Sequence, residues 1–215
     1  TFSIRKPRLE DLSAESVGEY HETTYLLPVI PMEFLKAHVH YFVKNPFKYT
    51  YLLLFLMTRR FRNILHKNDR MRTFFHFCEG VYLAKKISDE KDVKHIHAHF
   101  ANHSTTLALV ASCLTGIPFS FTAHAYDIWS DQLFVREKVS KAKFVVTCTY
   151  YGKSQILALN DIENPEKIVP VYHGIDVDRF EGQPGQEVTF DQVLMVARDG
   201  GEVLTGSPLV EGARA

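Results

Sequence analysis

From Val93 to Tyr172 the chain alternates short β-like runs with helical patterns. That alternation restricts the fold to a parallel sheet covered by helices. Val93 to Phe100 reads as a strand. His103 to Thr115 reads as a helix closed by Gly116, with Pro118 just beyond it. Pro118 to Thr122 is the next strand and Leu133 to Ala142 the next helix. Phe144 to Thr149 is apolar enough for a buried strand. Tyr151 to Leu159 then reads as a helix and Lys167 to Tyr172 as a last strand. Parallel neighbours need crossover connections, so helices should lie on both faces.

The first third is more helical. Phe2 to Arg5 reads as a strand stopped by Pro7, and residues 10–30 show no clear period. Pro31 opens a helix that reaches about Lys44. Asn45-Pro46 is an N-cap followed by proline at the first helical position, opening a second helix to about His66. A third covers Asp69 to Ile87, with Met71, Phe74, Phe75, Phe77, Cys78, Val81 and Tyr82 at helical spacing. A polar, Gly- and Pro-rich stretch follows Phe180, and Val193 to Ala197 reads as a new strand. The expected organisation is a domain over 1–180, a linker over 181–188 and the start of a second domain over 189–215.

Charge and cysteine narrow the class. The formal net charge is +0, which does not indicate nucleic acid. The three cysteines, Cys78, Cys113 and Cys148, stand apart among apolar neighbours, which fits a reducing, cytoplasmic setting rather than a disulfide framework. The longest apolar run, Tyr49 to Met57, is under half a membrane span. With the neighbouring Arg59-Arg60-Phe61-Arg62, residues 46–72 suit the inner face of an anionic membrane. Ordinary packing with a solvated basic end is the plainer reading.

Histidines gather where strands end. His95, His97 and His99 share one strand face at period two. Ligands in open parallel sheets bind beyond the carboxyl ends of the strands, so His99 is a cleft residue, whereas His95 and His97 read as hydrogen-bonded surface or core residues. A metal-dependent hydrolase using His95, His97 and His99, with His103, His124 and Asp127 as further ligands, is the alternative. His124 and Asp127 follow the second strand. His173-Gly174-Ile175-Asp176 ends the last one, with Gly174 suited to a left-handed turn and Asp176 to a cap. The helix start near Thr149 and Ser154 could receive an anion. No Walker loop, Gly-x-Ser-x-Gly elbow or Cys/His nucleophile pair is visible.

Four segments in order carry a resemblance: His97–Phe100, Gly116–Ile128, Lys167–Asp176 and Val193–Arg198. Together they resemble family four of the retaining glycosyltransferases, in particular bacterial members that build exopolysaccharide, colanic-acid-type or lipid-linked glycans. The resemblance implies a GT-B architecture whose amino-terminal, Rossmann-like α/β domain binds the acceptor. It implies a nucleotide-sugar co-substrate such as a UDP- or GDP-sugar, a glycan or lipid-linked acceptor, and no metal or other cofactor. It places His124 beside the transferred sugar as the catalytic histidine. His99, Asp127, His173, Gly174 and Asp176 would line the acceptor cleft. Arg198 would neutralise the leaving diphosphate, where a fixed guanidinium acts most in the transition state.

The chain also departs from that family. The first strand and Gly-containing loop expected before Phe2 are absent, and no lysine lies between Asp199 and Gly206. Glu202 and Glu211 have eight residues between them, where the family has seven. The expectation is therefore an amino-terminal fragment with negligible turnover alone. A non-catalytic glycan- or membrane-binding module is the remaining alternative.

Overall fold

The computed structural model describes residues 1–12, 16–62, 69–90, 92–129, 133–160, 162–174, 195–197 and 203–205. Two compact units are present, Thr1–His173 and Gly174–Ala215. The first runs β1 (Phe2–Arg5), α1 (Ser16–Glu22), β2 (Thr24–Leu27), α2 (Pro31–Lys44), α3 (Pro46–Arg62), α4 (Asp69–Asp89), β3 (Ile96–His99) and α5 (His103–Thr115). It continues with β4 (Phe119–Ala123), α6 (Ala125–Trp129), α7 (Val135–Lys141), β5 (Val145–Thr147), α8 (Tyr150–Asn160) and β6 (Ile168–Pro170). Short 3-10 turns at Leu9–Asp11 and Pro165–Lys167 complete it.

The architecture is α/β, with parallel strands flanked by helices, and is compatible with a Rossmann-like fold. One sheet has the order β3-β4-β5-β6 and another pairs β1 with β2. Every pairing within these two sheets is parallel. The inner strands are the most deeply buried: Phe119, Phe121, Val145 and Thr147 are almost wholly enclosed. β3 is half-buried. Ile96 and Ala98 face the core, and His97 and His99 face solvent. Alternation of that kind belongs to a strand with one covered face.

Local signals place the helices. Asn45 accepts a 2.9 Å hydrogen bond from the Lys48 N–H and so caps α3 ahead of Pro46. Gly116 ends α5 in the left-handed region at φ 83°, its N–H donating to the Ser112 carbonyl at 2.8 Å. α4 splits the apolar set read from its sequence. Phe77, Cys78, Val81 and Tyr82 are buried, but Met71, Phe74 and Phe75 are exposed, because they lie off the helix face on which Thr73, His76 and Phe77 are buried. α2 and α3 also leave Leu35, Val39, Phe42, Phe47, Tyr51 and Leu54 exposed. Among the described residues no helix is long and apolar enough to cross a membrane.

The strands of the alternation form one sheet, β3 to β6, as expected, and β1 and β2 form a separate one. A cavity of about 780 Å³ lies between β1 and β3, lined by all of Thr1–Arg5 and all of His95–Phe100. Consecutive residues point to opposite faces of a strand, so a cavity touching every residue abuts the strand edges. Ile96 and Phe100 donate their N–H groups to the Pro118 and Thr122 carbonyls of the β4 segment. Strand alternation turns the intervening peptide groups of β3 toward the cavity. β1 was read at its observed bounds, whereas β2 went unread, because a four-residue strand with a single buried residue, Leu26, leaves almost no period.

The second unit holds β7 (Met195–Ala197) and β8 (Val203–Thr205), which pair antiparallel. Of the strand read at 193–197, the described residues Met195–Ala197 are extended and form β7. The division between units falls after His173, ahead of the linker read at 181–188. Arg198 and Asp176 lie outside the described residues.

Candidate functional site

Four carboxyl-terminal strand ends converge. His99 closes β3, His124 follows β4, Cys148 follows β5, and His173 lies just beyond β6. The His99 and His124 ring centroids are 6.3 Å apart, and those of His124 and His173 are also 6.3 Å apart. The three histidines therefore share one rim, as the strand-end argument requires. Phe100 covers the rim with its ring centroid 4.5 Å from that of His124. Its backbone is left-handed at φ 69°, an outlier for a bulky residue. The conformation is held by the Phe100 N–H on the Thr122 carbonyl at 2.9 Å and by Thr105 Oγ1 donating to the Phe100 carbonyl at 2.6 Å.

Asp127 sits beneath the cleft rather than in it. Its side chain is fully buried. The carboxylate accepts from the Ala101 N–H and, at 3.1 and 3.2 Å, from the His124 N–H. It ties the β3–α5 loop to the residue that carries the imidazole, which makes it a positioning group and corrects its placement as a cleft residue. Lys138 of α7 works on the same loop from below. Also fully buried, it donates to the Ala101 and Asn102 carbonyls at 2.5 and 2.7 Å. Buried charge is tolerated only when hydrogen-bonded in this way.

Gly174 is not in the left-handed region; among the described glycines only Gly116 is. The turn after β6 therefore does not depend on that freedom. His95 and His97 do not assemble a metal site with His99. His95 Nε2 and His97 Nδ1 each lie 2.7 Å from Ser120 Oγ, and His97 Nε2 lies 3.0 Å from Thr122 Oγ1. Both nitrogens of His97 are occupied by β4 hydroxyls, so it has none left for an ion. His103 is engaged elsewhere, 2.5 Å from the Glu79 carboxylate.

Burial and then the neighbouring charges of His99 and His95 lower the His97 pKa below 6.5. Burial lowers that of His38 too. A histidine whose folded pKa is depressed contributes stability that is complete above the unfolded value and is lost as pH falls through the folded one. Thermal melts at about pH 7.5 and about pH 5 should therefore differ by a few degrees, the acid sample melting lower. The His97→Gln variant should narrow the difference. An unchanged midpoint would contradict the lowered pKa of both rings.

Cys148 was the residue missed. Its Sγ lies 3.4 Å from His124 Nδ1, across a sequence separation of 24. No short motif can show such a pair. The available signal was position alone, since Cys148 follows β5 as His124 follows β4. Burial and then the Asp127 carboxylate raise the Cys148 pKa, so this is a thiol rather than the thiolate a cysteine nucleophile requires.

Comparison with known proteins adds little. No family model matches the chain. A segment of 38 residues, 18% of the chain, is 50% identical to part of the large ribosomal subunit protein bL21 of Lactobacillus johnsonii and covers 36% of it. A match of the same 38-residue length, again 18% of the chain, is 55% identical to the bL21 of a Cyanothece species and covers 28% of it. The chain spans about a third of the length of the curated relatives it matches. Similarity this short assigns no family to the rest of the molecule.

Proposed function

We propose that this chain is the acceptor-binding, Rossmann-like part of a retaining glycosyltransferase. In a longer form it would move a sugar from a nucleotide-sugar donor, such as a UDP- or GDP-sugar, to a glycan or lipid-linked acceptor. The observation that supports this reading best is the meeting of His99, His124 and His173 at the carboxyl ends of parallel strands. The Nε2 atom of His124 is buried and has no hydrogen-bond partner among the described residues. A buried donor or acceptor in that state is costly until a ligand completes it. A sugar hydroxyl, or the charge that develops as the glycosidic bond changes hands, would do so.

In a form that carries a complete donor domain, His124→Ala should lower kcat by about 100- to 1,000-fold, the cost of losing one positioned donor. His95→Gln, at the end of β3 away from the rim, should leave the rate near that of the parent. A His124→Ala enzyme with parental kcat would remove the basis of the proposal. The chain alone should turn over negligibly. The exposed apolar faces of α2 and α3 fit attachment to an anionic bilayer surface. Absence of cosedimentation with anionic liposomes at low salt would dismiss that part.

A further inference from the structure

Three neighbouring strands present metal-binding atoms at their carboxyl ends. The ligand atoms of His124, Cys148 and His173 all lie within 4.8 Å of one another. Tetrahedral zinc with Zn–N near 2.0–2.1 Å and Zn–S near 2.3 Å separates its ligand atoms by about 3.3–3.6 Å. The 3.4 Å between His124 Nδ1 and Cys148 Sγ already meets that requirement. His173 is the third arm. It is exposed, and rotation of its side chain by about an ångström at the tip closes the remaining distance to the geometry zinc requires. His124 and Cys148 are half-buried and held by the strands that precede them. Rigid elements of this kind place ligands more reproducibly than loops do.

We propose that His124, Cys148 and His173 form a binding site for a thiophilic divalent ion, Zn²⁺ by its ligand set. Two imidazole nitrogens and one sulfur suit zinc rather than magnesium or calcium, which take oxygen ligands. On binding, the Cys148 S–H bond breaks, its proton leaves to solvent, and the sulfur electron pair forms the bond to the metal. The fourth position of the tetrahedron remains for water or an incoming ligand. The site is distinct from the β3 histidines, whose nitrogens hydrogen-bond to Ser120 and Thr122. It goes beyond the sugar-transfer reading, which uses Nε2 of His124, whereas the ion would take Nδ1.

The test uses the chain as it stands, stripped of metal by a chelator and titrated with Co²⁺ and then Zn²⁺. One Co²⁺ per chain should bind, with a thiolate-to-cobalt charge-transfer band in the near ultraviolet that Zn²⁺ displaces. Cys148→Ser should abolish the band. His173→Ala, a change at an exposed side chain that leaves the core intact, should weaken binding beyond the roughly 10- to 100-fold that loss of a supporting partner costs. Cys113→Ser should leave the band unchanged. Absence of a band, a band that survives Cys148→Ser, or binding that is lost in His95→Gln but kept in His173→Ala would each overturn the assignment. None of these readings involves sugar transfer, so the two proposals fail separately.

Discussion

Gly80→Ala should destabilise the protein by about 3 kcal/mol, the upper part of the range for an overpacked core. A Cβ at this position would stand 2.6 Å from Val110 Cβ and 2.9 Å from Val110 Cγ1. Gly80 lies on α4 and Val110 on α5, and both are buried. No rotamer change moves Val110 Cβ away, so the two helices must separate along their contact. For a chain of this size the melting temperature should fall by about 6–12 °C. Val110→Ala removes the two methyl groups but leaves its Cβ in place, so it should not restore the double variant.

The sign of this effect is its strength as a test. Helix propensity alone favours alanine over glycine by about 1 kcal/mol. At Gly18 in α1 nothing lies within 4 Å of the added Cβ, so Gly18→Ala should leave stability unchanged or raise it. Chemical denaturation of both variants separates packing from propensity. If both substitutions stabilise, α4 and α5 do not approach as described.

Asp127→Ala should cost about 3–4 kcal/mol. It orphans two buried N–H groups, at Ala101 and His124, and each such loss carries about 1–3 kcal/mol. The loss also reaches the rim, because the His124 backbone and the loop from Phe100 to Asn102 are fastened through the same carboxylate. Asp127→Asn keeps one acceptor oxygen but turns an amide N–H₂ toward a second donor, so it should recover only part of the loss. Equilibrium unfolding in urea measures the energy, and amide exchange at Ala101 and His124 localises it. A variant with parental stability and unchanged exchange would mean that the clamp is not formed.

Much of the α/β layering was legible beforehand because its signals are local. Gly116 and Pro118 punctuate α5, Asn45-Pro46 opens α3, and apolar runs separated by helical periods mark β4, β5 and β6. Each depends on residues a few positions apart. The strand-end rule also placed His99, His124 and His173 at one rim without any contact being known. The rule could not separate a residue in the rim from one beneath it. Asp127 and His124 follow the same strand, yet one is wholly buried and the other faces the cleft.

Strand order and helix approach carry the rest. The 3.4 Å contact of Cys148 with His124 exists because β5 lies beside β4 in parallel register, with Ala123 opposite Thr147. The close approach at Gly80 exists because α4 packs across Val110, thirty residues away on another helix. The Lys138 ammonium reaches the Ala101 and Asn102 carbonyls from α7, two helices later than the one they introduce. Periodicity along a chain records which face of an element is covered, because that depends on neighbours three or four residues away. What covers it depends on the pairing of distant segments, and in this molecule that pairing sets both the metal-ligating cluster and the clamp below it.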